Sequence, residues 1–233
     1  MMLQLTNIHK AFQNKSVLQG CDYSFEAGKI TGILGRNGAG KTTLFNILNH
    51  EIEADQGQVV WTADGRSRPL AVSDVAMVFA ENYLPDFLTG YEFVQFFLDL
   101  HGTADSLSPD EYLDMVEIGQ EDRHRIIKSY SSGMQSKLSI LTVFIMQPPI
   151  ILLDEPLTSV DVVIGIQLKK LLKTLKTGRV ILLSTHILQL ATDLCDEVVL
   201  LRDGQLHGLQ LDAHDPSFEV KLLEELQGRP AHD

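Results

Sequence analysis

Gly35, Gly38, Gly40, Lys41 and Thr42 lie in the stretch GRNGAGKTT, residues 35–43, directly after the apolar run Ile30–Leu34. The spacing matches G-x-x-x-x-G-K-[ST], a loop whose backbone N–H groups converge on nucleotide phosphates while its lysine reaches the terminal ones. The three glycines permit left-handed dihedrals and close backbone approach, so consecutive N–H groups can face one anion. Lys41 supplies a point charge, Thr42 a hydroxyl suited to Mg²⁺, and the helix opening there aims its positive dipole end at the phosphates. Leu44, Phe45, Ile47 and Leu48 give that helix its apolar face. The chemistry implied is ATP or GTP binding.

Three further stretches sit where strands end or helices begin. IILLDEP at 150–156 puts Asp154 and Glu155 after four buried aliphatics; the first can hold Mg²⁺ and the second can polarise an attacking water. LLSTH at 182–186 presents His186 after another apolar run, within reach of a γ-phosphate. SYSSGMQSK at 129–137 is a Ser/Gly-rich helix start and so a natural anion site. Each alone has a plain structural explanation: a solvated strand end, a surface histidine, a helix cap. Their order along one chain carries the information.

The intervening sequence alternates strands and helices. Leu3, Leu5 and Ile8 alternate as in a half-buried strand, and Val17–Phe25, residues 57–65, Val75–Phe79, Ile150–Leu153, Val180–Leu183 and Val198–Leu201 read as further strands. Asp64-Gly65 and Asp203-Gly204 are turn signals. Helical spacing predicts a helix between Thr89 and Gly102 with Phe93, Phe96, Phe97 and Leu100 on one core-facing stripe. Ser108-Pro109-Asp110-Glu111 predicts a capped helix start, with Gly119 as its close. A helix from Ser131 runs to Pro148-Pro149. Asp161 caps a long amphipathic helix with Val163, Ile166, Leu168, Leu171, Leu172 and Leu175, closed near Gly178. Thr185–Cys195 reads as a helix, and a short amphipathic one follows Asp215-Pro216. Strand–helix alternation implies right-handed parallel crossovers, with ligand chemistry at the strands' C-terminal ends.

A chain of 233 residues with 44% hydrophobic and 21% charged residues suits one α/β domain and excludes wholesale disorder. A net charge of −12 argues against a nucleic-acid groove, so no nucleic-acid partner is expected. Cys21 and Cys195 lack metal or redox spacing and read as buried structural thiols. No run reaches the length of a membrane span, so the expected location is cytoplasmic, with any membrane part supplied by another polypeptide.

From Leu3 to about Leu209 the chain resembles the ATP-binding cassette ATPases, the nucleotide-binding subunits of ABC transporters. GRNGAGKTT is similar to the Walker A loop, IILLDEP to the Walker B strand, SYSSGMQSK to the family's signature, Leu157–Asp161 to its D-loop and His186 to its switch histidine. The resemblance implies a P-loop NTPase core with a parallel sheet, a small antiparallel β subdomain and an inserted α-helical subdomain at about 84–148, all in one domain, 1–233. It implies ATP and Mg²⁺ as cofactors. Glu155, His186 and Lys41 would be catalytic, and Thr42 and Asp154 would hold the metal. Phe12 and Val17 would take the adenine and Gly35–Thr43, with Arg36, Asn37, Ala39 and Thr43, the phosphates. Ser131, Gly133 and Asp161 would act on the nucleotide of a second, facing cassette chain. That pair would drive a separate transmembrane permease, as an exporter, from the inner face of the cell membrane. The alternative is a cassette ATPase that remodels a protein or nucleic-acid complex without transport; the coiled insertions and basic extensions common in such proteins are not visible.

The sequence departs from the family at Ala80, where Gln is usual, so the side chain that contacts Mg²⁺ and the attacking water is missing. Glu81 could substitute only with a shifted loop, since adjacent residues at a strand end point oppositely. Tyr130, Ser132 and Met134 vary the signature, and Leu157 and Ser159 the D-loop. With Lys41, Asp154, Glu155 and His186 all present, an active ATPase is expected.

Overall fold

Four runs of β-branched and leucine residues form strands covered on both faces, and they fix the architecture. In the computed structural model, which describes residues 1–81, 83–157 and 162–209, the chain opens with β1 (Met2–Phe12), β2 (Lys15–Glu26), β3 (Lys29–Leu34) and α1 (Lys41–Leu48). Next come β4 (Gln56–Ala63), β5 (Arg66–Pro69), β6 (Val75–Val78), α2 (Gly90–His101), α3 (Pro109–Met115), α4 (Gln120–Arg123) and α5 (Ser132–Met146). The remainder is β7 (Ile150–Asp154), α6 (Val162–Leu175), β8 (Val180–Thr185), α7 (Leu188–Leu194), β9 (Glu197–Arg202) and β10 (Gln205–Leu209). Asp161 and the helix expected after Asp215-Pro216 lie outside the described residues.

The central sheet has the order β10-β9-β3-β8-β7-β6, parallel except for the β9–β10 hairpin. Alternate residues of each inner strand enter opposite cores, as a period of two requires. Ile151, Leu153, Ile181 and Leu183 pack on the α6 and α7 side. Ile150, Leu152, Val180 and Leu182 pack on the other, with α1 and the antiparallel sheet β2-β1-β4-β5. Helix α1 is therefore enclosed by two sheets: Leu44, Phe45 and Leu48 share a core with Leu3, Leu5 and Trp61. A third core, including Phe93, Leu113 and Leu141, joins α2, α3 and α5. This is a mixed α/β fold of the P-loop NTPase kind.

The structure corrects several sequence expectations. Phe93 is buried, but Phe96 and Leu100 are 51% and 60% exposed, so the α2 stripe is only half covered. Helix α3 stops at Met115, before Gly119. The left-handed residue is Glu117, with φ 54°. Glu117 N–H bonds Asp114 O and Ile118 N–H bonds Leu113 O, a Schellman closure supported by burial of Leu113 and Ile118. Gly119 instead precedes α4 with an ordinary φ of −61°. On α6, Leu168, Leu172 and Leu175 form the buried stripe, while Val163 and Ile166 face outward. Helix α7 starts at Leu188 because Thr185 remains in β8, paired with Leu34, and its hydroxyl accepts the N–H of Ile187 at 3.0 Å. Strand β10 was not anticipated; Asp203 and Gly204, at φ 52° and 73°, turn β9 back into it.

Candidate active site

The strand register puts the chemistry at one edge. Leu34 pairs with Thr185 and Asp154 with Ser184, so β3, β7 and β8 end level with one another. The phosphate loop leaves β3 at this edge and closes on α1 at Gly40, whose φ of 107° demands glycine. A Cβ there would meet Val17 Cγ1 at 2.9 Å, and one at Gly35 would meet the Leu201 carbonyl at 2.7 Å. Lys41 is 8% exposed, and its Nζ donates to the Gly35 carbonyl at 2.8 Å, spanning the loop.

One cavity of about 440 Å³ is lined by Phe12, Val17, Asn37, Gly38, Gly40, Lys41, Thr42, Thr43, Asp154 and Glu155. Phe12 ends β1 at its rim, 47% exposed, with Lys10 Nζ 5.6 Å from the ring centroid. An exposed aromatic beside a phosphate cradle offers a face on which a base can stack. Thr42 Oγ1 donates to Asp154 Oδ2 at 3.1 Å. Among the described residues no group of three or more His, Cys, Asp or Glu gathers to hold a metal. A hydroxyl and a carboxylate beside a phosphate site are nevertheless the hard oxygen donors Mg²⁺ takes, since it keeps several waters and uses few protein ligands.

Glu155 follows with a left-handed backbone, φ 48°. Its Oε1 lies 2.8 Å from His186 Nδ1, and Thr185 Oγ1 donates to its Oε2 at 3.4 Å. His186, Gly35, Arg36 and Asn37 line a second cavity next to the first, and Ala39 lines a third on the loop's outer side. The Glu155–His186 pair, the lysine of the loop and the Thr42–Asp154 pair thus meet at one edge of the sheet. Sequence reasoning missed Ser184 and Thr185; the signal was a pair of hydroxyl residues ending an otherwise aliphatic buried strand. Buried Cys21 and Cys195 are pushed up to about 11 and 12 by desolvation, which suits inert thiols.

Two expected parts lie elsewhere. Ser131 caps α5, accepting the Met134 N–H at 3.2 Å, and neither Ser131 nor Gly133 lines the phosphate cavity. A Cβ on Gly133 would stand 2.4 Å from Ile164 Cδ1 on α6. Ala80 does not line that cavity either. Glu81 faces a groove with Phe93, Phe96 and Phe97, where it accepts a 3.2 Å hydrogen bond from Tyr83.

A phosphate loop between a central parallel strand and an enclosed helix, faced by Asp154 and Glu155 from the next strand but one, defines a P-loop nucleoside triphosphatase. Residues 18–158 match the family described as ABC transporter, and the chain belongs to that family. It is 32% identical to the ABC transporter ATP-binding protein NatA of Bacillus subtilis, covering 97% of this chain and 95% of that protein. It is 32% identical to a fluoroquinolones export ATP-binding protein of Mycobacterium tuberculosis, covering 88% and 67%. A dimeric ATP-binding cassette solved after hydrolysis, with ADP and phosphate bound, shares the fold at TM-score 0.74 and 23% identity, covering 88% and 96%. The chain is an ABC ATP-binding subunit and hydrolyses ATP.

Proposed function

We propose that the chain is a single cassette domain that pairs with a second cassette on ATP and drives a separate membrane permease, in the direction of export. The observation that carries the reading is the double link at the sheet edge, Thr42 to Asp154 and Glu155 to His186, beside the phosphate loop. Phe12 and Val17 take the adenine; residues 35–43 wrap the phosphates; Lys41 offsets their charge. Thr42 and Asp154 would hold Mg²⁺, which would supply positive charge to offset that of the phosphates. Glu155 orients and polarises the attacking water, and His186 holds Glu155 and touches the γ-phosphate.

The separation of Ser131 and Gly133 from this cavity supports a composite site, in which these residues and Asp161 act on the nucleotide of the facing chain. The dimeric cassette of the same fold supports that arrangement, and the relative named for fluoroquinolone export supports the direction. No helix among the described residues is long and apolar enough to cross a membrane. The permease would dock on the helical insert, about 84–148, where Phe87, Phe96 and Leu100 are exposed and Phe96 lines the groove that also holds Glu81 and Tyr83. The chain then works at the cytoplasmic face of the membrane. Co-purification tests this: recovery with a multi-span membrane protein, lost when Phe96 and Leu100 are both changed to Glu, is expected. Recovery with ribosomes or DNA would favour the non-transport alternative.

A further inference from the structure

We propose that Ser184, two residues before His186 in the LLSTH stretch, is the positioning residue that sets both acids of the hydrolytic site. The proposal rests on the roles given to Asp154 and Glu155. Ser184 is the fifth residue of β8, after Val180, Ile181, Leu182 and Leu183, and is 0% exposed. A hydroxyl in such a strand must find partners within the protein. Its Oγ donates to Asp154 Oδ1. That bond ties one carboxylate oxygen to the sheet and leaves the other, Oδ2, directed at Thr42, 3.1 Å away. The carboxylate is thereby held in one rotation, with a single oxygen turned to the metal and phosphate side.

The same residue anchors the next acid. Glu155 N–H is shared between the Ser184 carbonyl at 3.1 Å and the Ser184 hydroxyl at 3.3 Å. Glu155 is in the left-handed region, φ 48°, a conformation that an L-residue keeps only where its surroundings over-determine it. In that conformation its carboxylate reaches His186 at 2.8 Å. One buried hydroxyl therefore spends its proton on the metal-side carboxylate and its lone pair on the backbone of the base. Outer partners of this kind orient ligands that cannot orient themselves. The neighbouring Thr185 hydroxyl donates to Glu155 at 3.4 Å and accepts the Ile187 N–H at 3.0 Å, and so does not replace the bond to Asp154.

The test compares Ser184→Ala and Ser184→Cys with wild type in the full chain; the thiol fills the space of the hydroxyl but donates weakly. The readouts are kcat and KM for ATP, thermal melting without nucleotide, and Mn²⁺ affinity of the ATP-loaded protein by electron paramagnetic resonance. Both variants should bind Mn²⁺ about 10-fold more weakly. Their kcat should fall roughly 10- to 100-fold with KM changed less than about twofold, and the Cys variant should melt close to wild type. A Cys variant with wild-type Mn²⁺ affinity and kcat would show that Ser184 only fills space, and would overturn the proposal; if Ser184→Ala fails to fold, the Cys variant decides alone. Asp154→Asn and Glu155→Gln are measured in parallel. If these lose turnover and Ser184→Cys does not, only the role of Ser184 fails. If these keep wild-type turnover, the reading of the site itself fails.

Discussion

His186 Nδ1 lies 2.8 Å from Glu155 Oε1, joining the residues that follow two adjacent parallel strands, β7 and β8. The contact needs both the left-handed turn at Glu155 and the persistence of β8 through Thr185, so two backbone details far apart in sequence meet in one hydrogen bond.

Removing the imidazole should leave Glu155 without that partner while the phosphate loop stays intact. His186→Ala is expected to lower turnover by roughly 100-fold or more, the scale of a lost acid–base partner. ATP binding, read with a fluorescent nucleotide, should remain near wild type. A loss of binding equal to the loss of turnover would show instead that His186 supports the loop.

The composite site can be tested by mixing two inactive chains. Lys41→Ala removes the phosphate charge in one chain, and Ser131→Glu sets a carboxylate against the facing γ-phosphate from the other; Ser131 is exposed, so the fold should survive. Half of the dimers formed from equal amounts are mixed, and each of these keeps one intact site. Turnover should therefore recover to about a quarter of wild type if the sites act independently. A mixture as inactive as its parts would contradict a site shared between two copies of this chain.

Stability should carry a pH signature from Asp74, 5% exposed and just before β6. The Arg68 guanidinium, at 2.6 and 2.7 Å, and the Ala71 N–H hold its carboxyl below the usual range. A depressed carboxyl contributes stability above its unfolded pKa of about 3.9, and loses it as pH falls through the folded value. Asp74→Asn should cost about 1 kcal/mol at pH 7, since Arg68 is half exposed and its attraction is screened. In urea titrations the difference from wild type should shrink steadily below about pH 4; a constant difference would assign the cost to packing.

Local spacing made the phosphate loop, the paired acids at the end of β7 and the histidine after β8 legible, because each depends on residue types a few positions apart. The buried strands were legible for the same reason. Periodicity also identified α2 and α6, but it says which residues share a face and not what covers that face, so Phe96, Leu100, Val163 and Ile166 were assigned to the core and lie outside it. The close of α3 was misread because Glu117, without glycine's freedom, takes the left-handed position and is held there by the Leu113–Ile118 contact. Ser184 was invisible because its role depends on the register of β7 against β8. The distance between the Ser131 helix start and the phosphate loop is likewise a property of topology. Only the family resemblance suggested how the two could meet.

Hydrolysis in the proposed mechanism depends on Glu155. Steady-state hydrolysis and light scattering of Glu155→Gln, with saturating ATP and Mg²⁺, test it most directly. The expected result is turnover reduced by roughly 100-fold or more, with the variant accumulating as an ATP-bound dimer. Turnover near wild type, or a persistent monomer at saturating ATP, would contradict it.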